Sequence, residues 1–352
     1  MKGRVLLIDR GSAALLIDGR LEDLLLEEAS APPAPGDIYR ARVDRLMPNM
    51  GGAFLRLGAD LQGYLREAKG VKPGQDLLVQ VTGYAEPGKA LPVARRPLLK
   101  SRGVILTPGA PGVNMSRAIK DLEQRERLGQ VAWETAEIGL ILRSAARVAA
   151  PEALSAEAAG LLAEWRRIEA GGEGRLWHLT GAETALNEWT DPVPDAIHAY
   201  GLPVQVSDKY GELADHLTQA EPDPFDRFGV WEAVAGLRRA EAALPSGGSM
   251  IVEPTRALVA VDVNAADGSA MTTNVEAARE LPRQLRLRGL GGQIVVDFAP
   301  LKKMHRKKIE EVLKAALRRD PVETQLVGWT PLGHLELNRK RERRPLSREC
   351  VA

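Results

Sequence analysis

Two short hydrophobic runs, each carrying an aspartate, constrain the fold of this chain most strongly. Asp262 lies in the run Ala257–Asn264, and Asp297 closes a second run of isoleucine and valine. Short runs rich in β-branched residues are typical of buried strands, and the intervening residues 273–288 have the pattern of a helix. The sequence therefore predicts a β-α-β unit with two parallel, neighbouring strands.

The two aspartates are candidate ligands for a hard cation. Side chains alternate along a strand, so Asn264 is predicted to stand on the same face as Asp262. Two carboxylates are too few for a closed cage, but they suit Mg²⁺, which usually keeps water and substrate phosphate as further ligands. In the structural alternative, Asp297 caps a helix and Asp262 is a charge at a loop edge. The spacing alone leaves both interpretations open.

The helix between the strands has a predicted start and one irregularity. Thr273 and Glu276 have the spacing of a capping box, which predicts that the helix begins at Thr273. Pro282 lies inside the helical pattern and predicts a kink or the start of a second segment.

Composition excludes several classes of protein. The single cysteine, Cys350, excludes intrachain disulfides and cysteine-based zinc sites, which favours a reducing cytoplasm. No apolar run approaches the length of a membrane span, and an early charge argues against a signal peptide. The histidines show no metal-ligand spacing, so no metal role is predicted for them. They are His178, His198, His216, His305 and His334.

Positive charge is concentrated towards the C-terminal end. Residues 301–352 contain 14 Lys and Arg against 7 Asp and Glu, in a chain whose formal net charge is only +1. Two clusters stand out: Lys302, Lys303, Arg306, Lys307 and Lys308, and Arg339, Lys340, Arg341, Arg343 and Arg344. They are a candidate phosphate-binding surface, although a solvated helix face would have the same composition.

A basic amphipathic helix is predicted over residues 301–317. Its expected buried side consists of Met304, Val312, Leu313 and Leu317.

Residues 36–94 have a different sequence pattern, with short strands predicted at 37–43, 52–57, 63–65 and 77–81. Several short strands separated by turn residues predict a small closed barrel of the OB type.

These residues resemble the ribonuclease E/G family of bacterial endoribonucleases. The resemblance is carried by five segments in order: Leu244–Ser249, Val261–Asn264, Thr273–Ala278, Gln284–Phe298 and Gly333–Arg341. Weaker similarity runs through Gly36–Tyr39, Ala53–Phe54, Gly63–Leu65 and Gly139–Ser144. Together the segments span nearly the whole chain, with residues 155–240 poorly anchored.

The resemblance implies a multi-domain α+β fold. A ribonuclease H-like core would comprise residues 1–35 and 151–243, interrupted by an OB-fold RNA-binding barrel at 36–96 and a 5′-sensor region at 97–150. A DNase I-like α/β catalytic subdomain with a basic end would follow at 244–352.

The resemblance also implies a function, which is Mg²⁺-dependent cleavage of single-stranded, often A/U-rich RNA that leaves 5′-phosphate and 3′-hydroxyl ends. Asp262 and Asp297 match the metal ligands of the family, and Asn264 would orient one of them or the attacking water. Metal-bound hydroxide near neutral pH suits this hydrolysis.

Further positions match family residues that contact RNA. Phe54 and Tyr64 would stack a nucleobase, although either ring could belong to the core. Lys89 fits a lysine that contacts the RNA backbone, although lysines are common in such loops. Arg143 and Ser144 match the Arg-Thr pair that senses a 5′ phosphate, with Arg143 as a plain surface residue the alternative. The C-terminal residues Arg339, Lys340 and Arg341 would hold backbone phosphates.

The chain departs from the family pattern in two places. The loop 264–272 is shorter than in relatives, which removes substrate contacts. The first rival function is therefore that of a non-catalytic RNA-binding protein. Relatives continue into a paired-cysteine zinc link, which Cys350 alone cannot form. We therefore expect a monomer or weak homodimer without a zinc-linked tetramer. A second rival is a metal-dependent phosphodiesterase that acts on DNA or nucleotides.

Overall fold

The structure is a computed structural model that describes residues 2–28, 32–129, 138–203, 210–266 and 269–346. The chain divides into two compact units, one formed by residues 1–19 and 25–224 and the other by residues 20–24 and 225–352. Within the described ranges, no helix is both long and apolar enough to cross a membrane.

The first unit contains most of the strands. They are β1 (Arg4–Asp9), β2 (Ser12–Ile17), β4 (Ile38–Met47), β5 (Gly52–Arg56), β6 (Gln62–Leu65), β7 (Asp76–Val81), β8 (Leu91–Ala94), β9 (Leu99–Lys100), β10 (Val104–Pro108), β11 (Val113–Met115), β12 (Ile138–Leu142), β13 (Gly174–Trp177), β14 (Ala196–Tyr200) and β15 (Leu217–Gln219). Strand β3 (Arg20–Leu25) supplies residues 20–24 to the second unit. The helices of the first unit are α1 (Leu122–Gly129), α2 (Pro151–Ala170) and α3 (Gly181–Glu188).

The second unit contains β16 (Glu241–Ala243), β17 (Ser249–Pro254), β18 (Val259–Asn264), β19 (Gly292–Asp297), β20 (Thr324–Trp329) and β21 (Leu335–Arg339). Its helices are α5 (Val230–Leu237), α6 (Ala270–Leu287) and α7 (Arg306–Leu317), and the short α4 (Pro224–Arg227) lies at the boundary between the units.

A closed five-stranded barrel lies within the first unit. Its strands pair in the order β4-β5-β6-β8-β7, and β7 returns to pair with β4. Alternate residues face inward and form a buried core: Tyr39, Ala41, Val43, Ala53, Leu55, Leu65, Val79, Val81, Leu91 and Val93. The predicted small closed barrel is confirmed, and it is consistent with an OB-like fold. Strand β8 was not predicted, because Pro92 interrupts a very short pattern.

Two further sheets complete the first unit. In one, β15, β14, β1 and β2 are successive neighbours, and in the other the order is β11-β12-β10-β9. Helix α3 begins with a true capping box, in which Thr180 accepts from the Glu183 N–H and the Glu183 side chain accepts from the Thr180 N–H. Helix α2 buries Leu154, Leu161 and Trp165 in a core shared with the second sheet.

A half-buried histidine links separate segments of the first unit. His178 Nδ1 lies 2.7 Å from Asp37 Oδ1, and its Nε2 lies 3.1 Å from Glu27 Oε1. The hydrogen bond to Asp37, followed by the one to Glu27, raises the pKa of His178 to about 9. The imidazolium therefore bridges two carboxylates at neutral pH.

This bridge predicts a loss of stability at alkaline pH. Because the folded-state pKa lies above the ordinary value of 6.5, the stabilisation is complete below pH 6.5 and disappears as the pH rises through about 9. We expect the wild type to lose on the order of 2 kcal/mol of unfolding free energy between pH 7 and 10 in excess of His178→Gln. Urea unfolding of both proteins measures the difference, and parallel pH curves would contradict the prediction.

The second unit is built on a six-stranded sheet in the order β16-β17-β18-β19-β21-β20. Strands β18 and β19 are parallel neighbours joined by α6, so the predicted β-α-β unit is confirmed. One face of the sheet packs against α6 and α7. The core there includes Val259, Val261, Val263, Leu281, Leu285, Ile294, Val296, Ile309 and Leu313.

Two local expectations for this unit were wrong, namely the start of the helix between the aspartates and the burial of Met304. Helix α6 begins at Ala270, about one turn before Thr273, and Glu276 accepts the Ser246 N–H instead of capping the helix. Pro282 lies inside this helix, which continues to Leu287, so no second segment begins there; the kink expected at Pro282 stays a prediction. Met304 is 79% exposed, since it precedes α7 in a 3₁₀ turn, while Ile309 and Leu313 fill the core.

A buried ionic network joins distant segments of the second unit. The Asp320 carboxylate receives Arg339 Nη2 at 2.9 Å and also bonds Arg286. Asp23 receives Arg343 Nη2 at 3.0 Å and Arg286 Nε at 3.4 Å. The side chains of Asp320 and Arg339 are each only 1% exposed. Arg339 and Arg343 are thus used inside the fold.

Candidate functional site

The two aspartates of the β-α-β unit lie side by side. Asp262 and Asp297 are register partners on the parallel strands β18 and β19, whose backbones are about 4.8 Å apart in any sheet. Their strand neighbours Val261, Val263 and Val296 are buried against the helices, so alternation directs both carboxylates to the opposite face. Both are exposed, and the Asp297 side chain is 61% accessible. The arrangement delivers two carboxylates to solvent at one place.

Asn264 holds one of these carboxylates. It stands two residues after Asp262 on the same strand face, and its Nδ2 donates to Asp262 Oδ2 at 2.8 Å. The hydrogen bond fixes the orientation of the carboxylate and engages one of its oxygens, while the other has no hydrogen-bond partner among the residues that the structure describes.

His334 is a neighbour that the spacing of histidines did not predict. Its Nε2 lies 3.7 Å from Asp297 Oδ2, a separation that a water molecule can bridge. The signal was strand alternation: Leu335 and Leu337 are buried on β21, so His334 and Glu336 share the other face. Leu335 is the register partner of Val296, which places His334 next to Asp297.

The donor set fits a hard, hydrated cation. Carboxylate oxygens on an open sheet face are what Mg²⁺ uses when water and phosphate supply its remaining ligands. In the portion of the chain that the structure describes, no group of three or more His, Cys, Asp or Glu side chains is arranged to enclose a metal ion. Asp262 and Asp297 could therefore hold such an ion only together with water or substrate.

The barrel of the first unit presents a second candidate surface. Phe54 and Tyr64 are register partners on β5 and β6, with ring centroids 5.3 Å apart and planes inclined at 57°. Both are half-buried and project outward, since Ala53, Leu55, Gly63 and Leu65 are the buried residues of these strands. The rings therefore lie outside the barrel core.

Arg45 completes this aromatic surface and was missed by the sequence analysis. It is the register partner of Phe54 on β4, and its guanidinium carbon lies 4.8 Å from the Phe54 ring centroid. A bulge in β4 after Val43 sets this pairing, so simple alternation could not reveal it. A guanidinium over one ring and a tilted second ring form a surface suited to flat, anionic ligands.

Lys89 lies in the loop between β7 and β8. Its ammonium group is 2.7 Å from Glu86 Oε2 in an exposed ion pair. The lysine also lines a cavity of about 390 Å³ beside Asp60 and Gln62. Since exposed pairs of this kind contribute little energy, Lys89 can exchange Glu86 for an anionic ligand at low cost.

The predicted phosphate sensor already has protein partners. Arg143 Nη1 donates to the carbonyls of Ser101 and Asn187 at 2.7 and 3.1 Å, and Nη2 donates to Glu188 Oε2 at 2.5 Å. Ser144 hydrogen-bonds the Asp191 carboxylate. The pKa of Asp191 is lowered mainly by its hydrogen bond with Arg147. An incoming phosphate would have to displace Glu188 from Arg143.

The C-terminal basic residues do not form one surface. Arg339, expected to contact RNA, is buried and bonded to Asp320 and Thr324, because it shares strand parity with Leu335 and Leu337. Its predicted place on the surface was wrong. Lys340 is exposed and pairs with Glu323 at 2.6 Å, and Arg341 is half-buried.

Comparison with known proteins decides the family. The profile described as "Ribonuclease E/G family" matches residues 98–190 and 195–342, which is more than half of the chain and includes both aspartates. The chain belongs to the ribonuclease E/G family. The expectation from the sequence motifs is thereby confirmed.

Individual ribonuclease E/G relatives align over almost the full chain. Ribonuclease G of Escherichia coli strain K12 is 29% identical over 379 residues, covering 94% of this chain and 77% of that protein. Ribonuclease G of Haemophilus influenzae is 27% identical over 381 residues, covering 95% of this chain and 78% of that protein. Ribonuclease E of Nostoc sp. strain PCC 7120 is 30% identical over 380 residues, covering 94% of this chain and 54% of that protein.

Proposed function

We propose that this ribonuclease E/G family member is a Mg²⁺-dependent endoribonuclease that cleaves single-stranded RNA in RNA processing or decay. The observation that carries the proposal is the pair of exposed, register-matched carboxylates of Asp262 and Asp297. Its support comes from the relatives above, which are named ribonucleases. Two polar residues stand beside the pair, since Asn264 bonds Asp262 and His334 lies 3.7 Å from Asp297.

Each residue at this site has a proposed task. Asp262 and Asp297 hold the cation, and Asn264 keeps the Asp262 carboxylate oriented through its 2.8 Å hydrogen bond. A bound Mg²⁺ would activate the attacking water and offset negative charge on the scissile phosphate. The proposed products carry 5′-phosphate and 3′-hydroxyl ends, and A/U-rich strands are the proposed substrates.

We assign the finer fold relationships within the same proposal. Residues 1–35 and 151–243 would correspond to a ribonuclease H-like core, residues 36–96 to an OB-fold RNA-binding barrel and residues 244–352 to a DNase I-like subdomain. The closed barrel and the parallel β18–β19 pair support the second and third assignments. The cytoplasm is the proposed location, and a monomer or weak homodimer is the proposed state. Light scattering tests the latter, and Cys350 lies outside the described residues.

RNA contacts are proposed for exposed and half-buried residues of both units. Phe54 and Tyr64 stack nucleobases with Arg45 beside them, and Lys89, Lys340 and Arg341 contact backbone phosphates. Recognition of a 5′ monophosphate by Arg143 and Ser144 stays a prediction, and it requires that the phosphate displace Glu188 from Arg143. Arg339 is not part of the proposal, because its guanidinium is buried.

The aromatic surface gives a direct binding prediction. Phe54→Leu should weaken the binding of a short A/U-rich RNA by about tenfold, since stacking is worth roughly 1–3 kcal/mol per base. Fluorescence anisotropy in EDTA measures this affinity without cleavage. Leu61→Met, at the half-buried turn before Tyr64, is the control that should bind normally. Equal affinities for Phe54→Leu and wild type would remove the ring from the binding surface.

One assay separates the proposal from its rivals. Purified protein is incubated with matched RNA and DNA oligonucleotides, with Mg²⁺ or with EDTA. Cleavage of RNA only, and only with Mg²⁺, supports the proposed enzyme. Binding without cleavage would indicate the non-catalytic RNA-binding protein, and the short loop 264–272 would then account for the lost activity. Residues 267 and 268 of this loop lie outside the described part. Cleavage of DNA would indicate the broader phosphodiesterase.

A further inference from the structure

Arg306 presents a guanidinium group on a rigid aromatic support in the second unit. It is the first residue of α7, and its guanidinium carbon lies 4.7 Å from the ring centroid of Trp329. The indole is fixed from two sides: its Nε1–H donates to Glu310 Oε1 at 2.9 Å, and its ring lies 5.9 Å from that of Phe298. The arginine is therefore held in place by stacking.

The carboxylate that could neutralise Arg306 is engaged elsewhere. Glu310 stands four residues along the same helix, where an ion pair with Arg306 would be expected. Its carboxylate instead bonds Trp329 and Lys314, whose ammonium group lies 3.0 Å from Glu310 Oε2 and lowers the pKa of the acid. Among the residues that the structure describes, no acidic side chain forms an ion pair with Arg306. Its five N–H donors remain available for an anion.

The guanidinium lies close to the end of the strand that carries Asp297. Arg306 Nη2 is so near Gly333 that a Cβ at that glycine would come within 2.9 Å of it. His334 follows directly and reaches Asp297 at 3.7 Å. From the other direction, Phe298 follows Asp297 and packs on Trp329, which supports the arginine. Arg306 is thus linked to Asp297 through two sets of contacts, one through Gly333 and His334 and the other through Trp329 and Phe298.

We propose that Arg306 binds a backbone phosphate of the RNA strand adjacent to the phosphodiester that is cut at Asp262 and Asp297. This inference rests on the proposed function. A planar guanidinium can grip two oxygens of one phosphate, and the Trp329 support reduces the freedom that binding must freeze. Phosphate contacts fix the register of a strand without reading its sequence. Arg306 is therefore a residue that sets which phosphodiester faces the carboxylates.

The test compares Arg306→Gln with Arg318→Gln. Arg318 is exposed at the other end of α7, so both variants lose one positive charge from the same helix. Binding of a fluorescent A/U-rich oligonucleotide is measured in EDTA at several salt concentrations. Arg306→Gln should bind at least about fivefold more weakly, and the slope of log affinity against log salt should fall by about 0.7, the value for one lost contact with a single strand. Arg318→Gln should match the wild type in both.

Two further variants separate the contact from the stability of the fold. Arg306→Met keeps an apolar stem over Trp329 and should lose binding as Gln does, while Arg306→Lys keeps the charge and should bind with intermediate affinity. In cleavage assays, KM should rise more than kcat falls for Arg306→Gln. A wild type that binds and cleaves RNA, with Arg306→Gln and Arg318→Gln indistinguishable, would overturn this inference alone. A wild type that neither binds nor cleaves RNA would overturn the proposed function as well.

Discussion

Replacing Asp297 with asparagine should lower the rate of RNA cleavage by about a thousandfold, because the lost stabilisation of the transition state amounts to several kcal/mol. The substitution keeps the size of the side chain but removes the charge that a divalent cation requires. Asp262→Asn should have an effect of similar size, since the two residues are register partners at one place. RNA affinity in EDTA should stay within about twofold of wild type, because carboxylates repel the phosphate backbone and do not bind it.

The control is Glu311→Gln, which removes one exposed carboxylate from α7, on the helix-covered face of the sheet. It should cleave RNA at the wild-type rate. Single-turnover cleavage at saturating Mg²⁺ makes the comparison independent of product release. If Asp297→Asn cleaved as fast as Glu311→Gln under these conditions, Asp297 would have no part in holding the metal.

Replacing Asp320 with asparagine should destabilise the second unit by about 3–5 kcal/mol, the usual cost of removing one partner from a buried ion pair. Arg339 and Arg286 both bond the Asp320 carboxylate, and Arg339 is almost fully buried. The neutral amide would leave two buried guanidinium groups short of their counter-charge. Urea unfolding followed by circular dichroism should show a lower midpoint.

The matched variant is Glu323→Gln, which removes an exposed carboxylate three residues away that pairs with Lys340. Exposed pairs contribute about 0–1 kcal/mol, so this protein should unfold almost as the wild type does. Equal unfolding midpoints for Asp320→Asn and Glu323→Gln would show that the network around Asp320 contributes no net stability.

The parallel strands around Asp262 and Asp297 could be predicted from the sequence, because strand length, β-branched content and alternation are local signals. The start of α6 could not. Thr273 and Glu276 satisfy the capping pattern, but Glu276 bonds the Ser246 N–H, and a contact thirty residues away leaves no local trace. Strand β8 of the barrel could not be predicted for a different reason, since a short strand with Pro92 lacks the usual periodic pattern.

In the basic C-terminal cluster, a run of charged residues did not indicate an exposed surface. Arg339 lies on β21 with the same parity as Leu335 and Leu337, which already pointed to the buried face. Its partner Asp320 and the more distant Asp23, which receives Arg343, could not be identified from sequence spacing. The same parity argument places His334 on the other face, but its position beside Asp297 depends on the pairing of β21 with β19, which the sequence does not reveal.

The central claim is that Asp262 and Asp297 together hold one divalent cation. An EPR titration of Mn²⁺ into RNA-free protein measures this directly, because free and bound Mn²⁺ have different signals. We expect one ion per chain in the wild type and in Glu311→Gln, with affinity at least about tenfold weaker in both Asp262→Asn and Asp297→Asn. Unchanged Mn²⁺ affinity in either aspartate variant would contradict the claim.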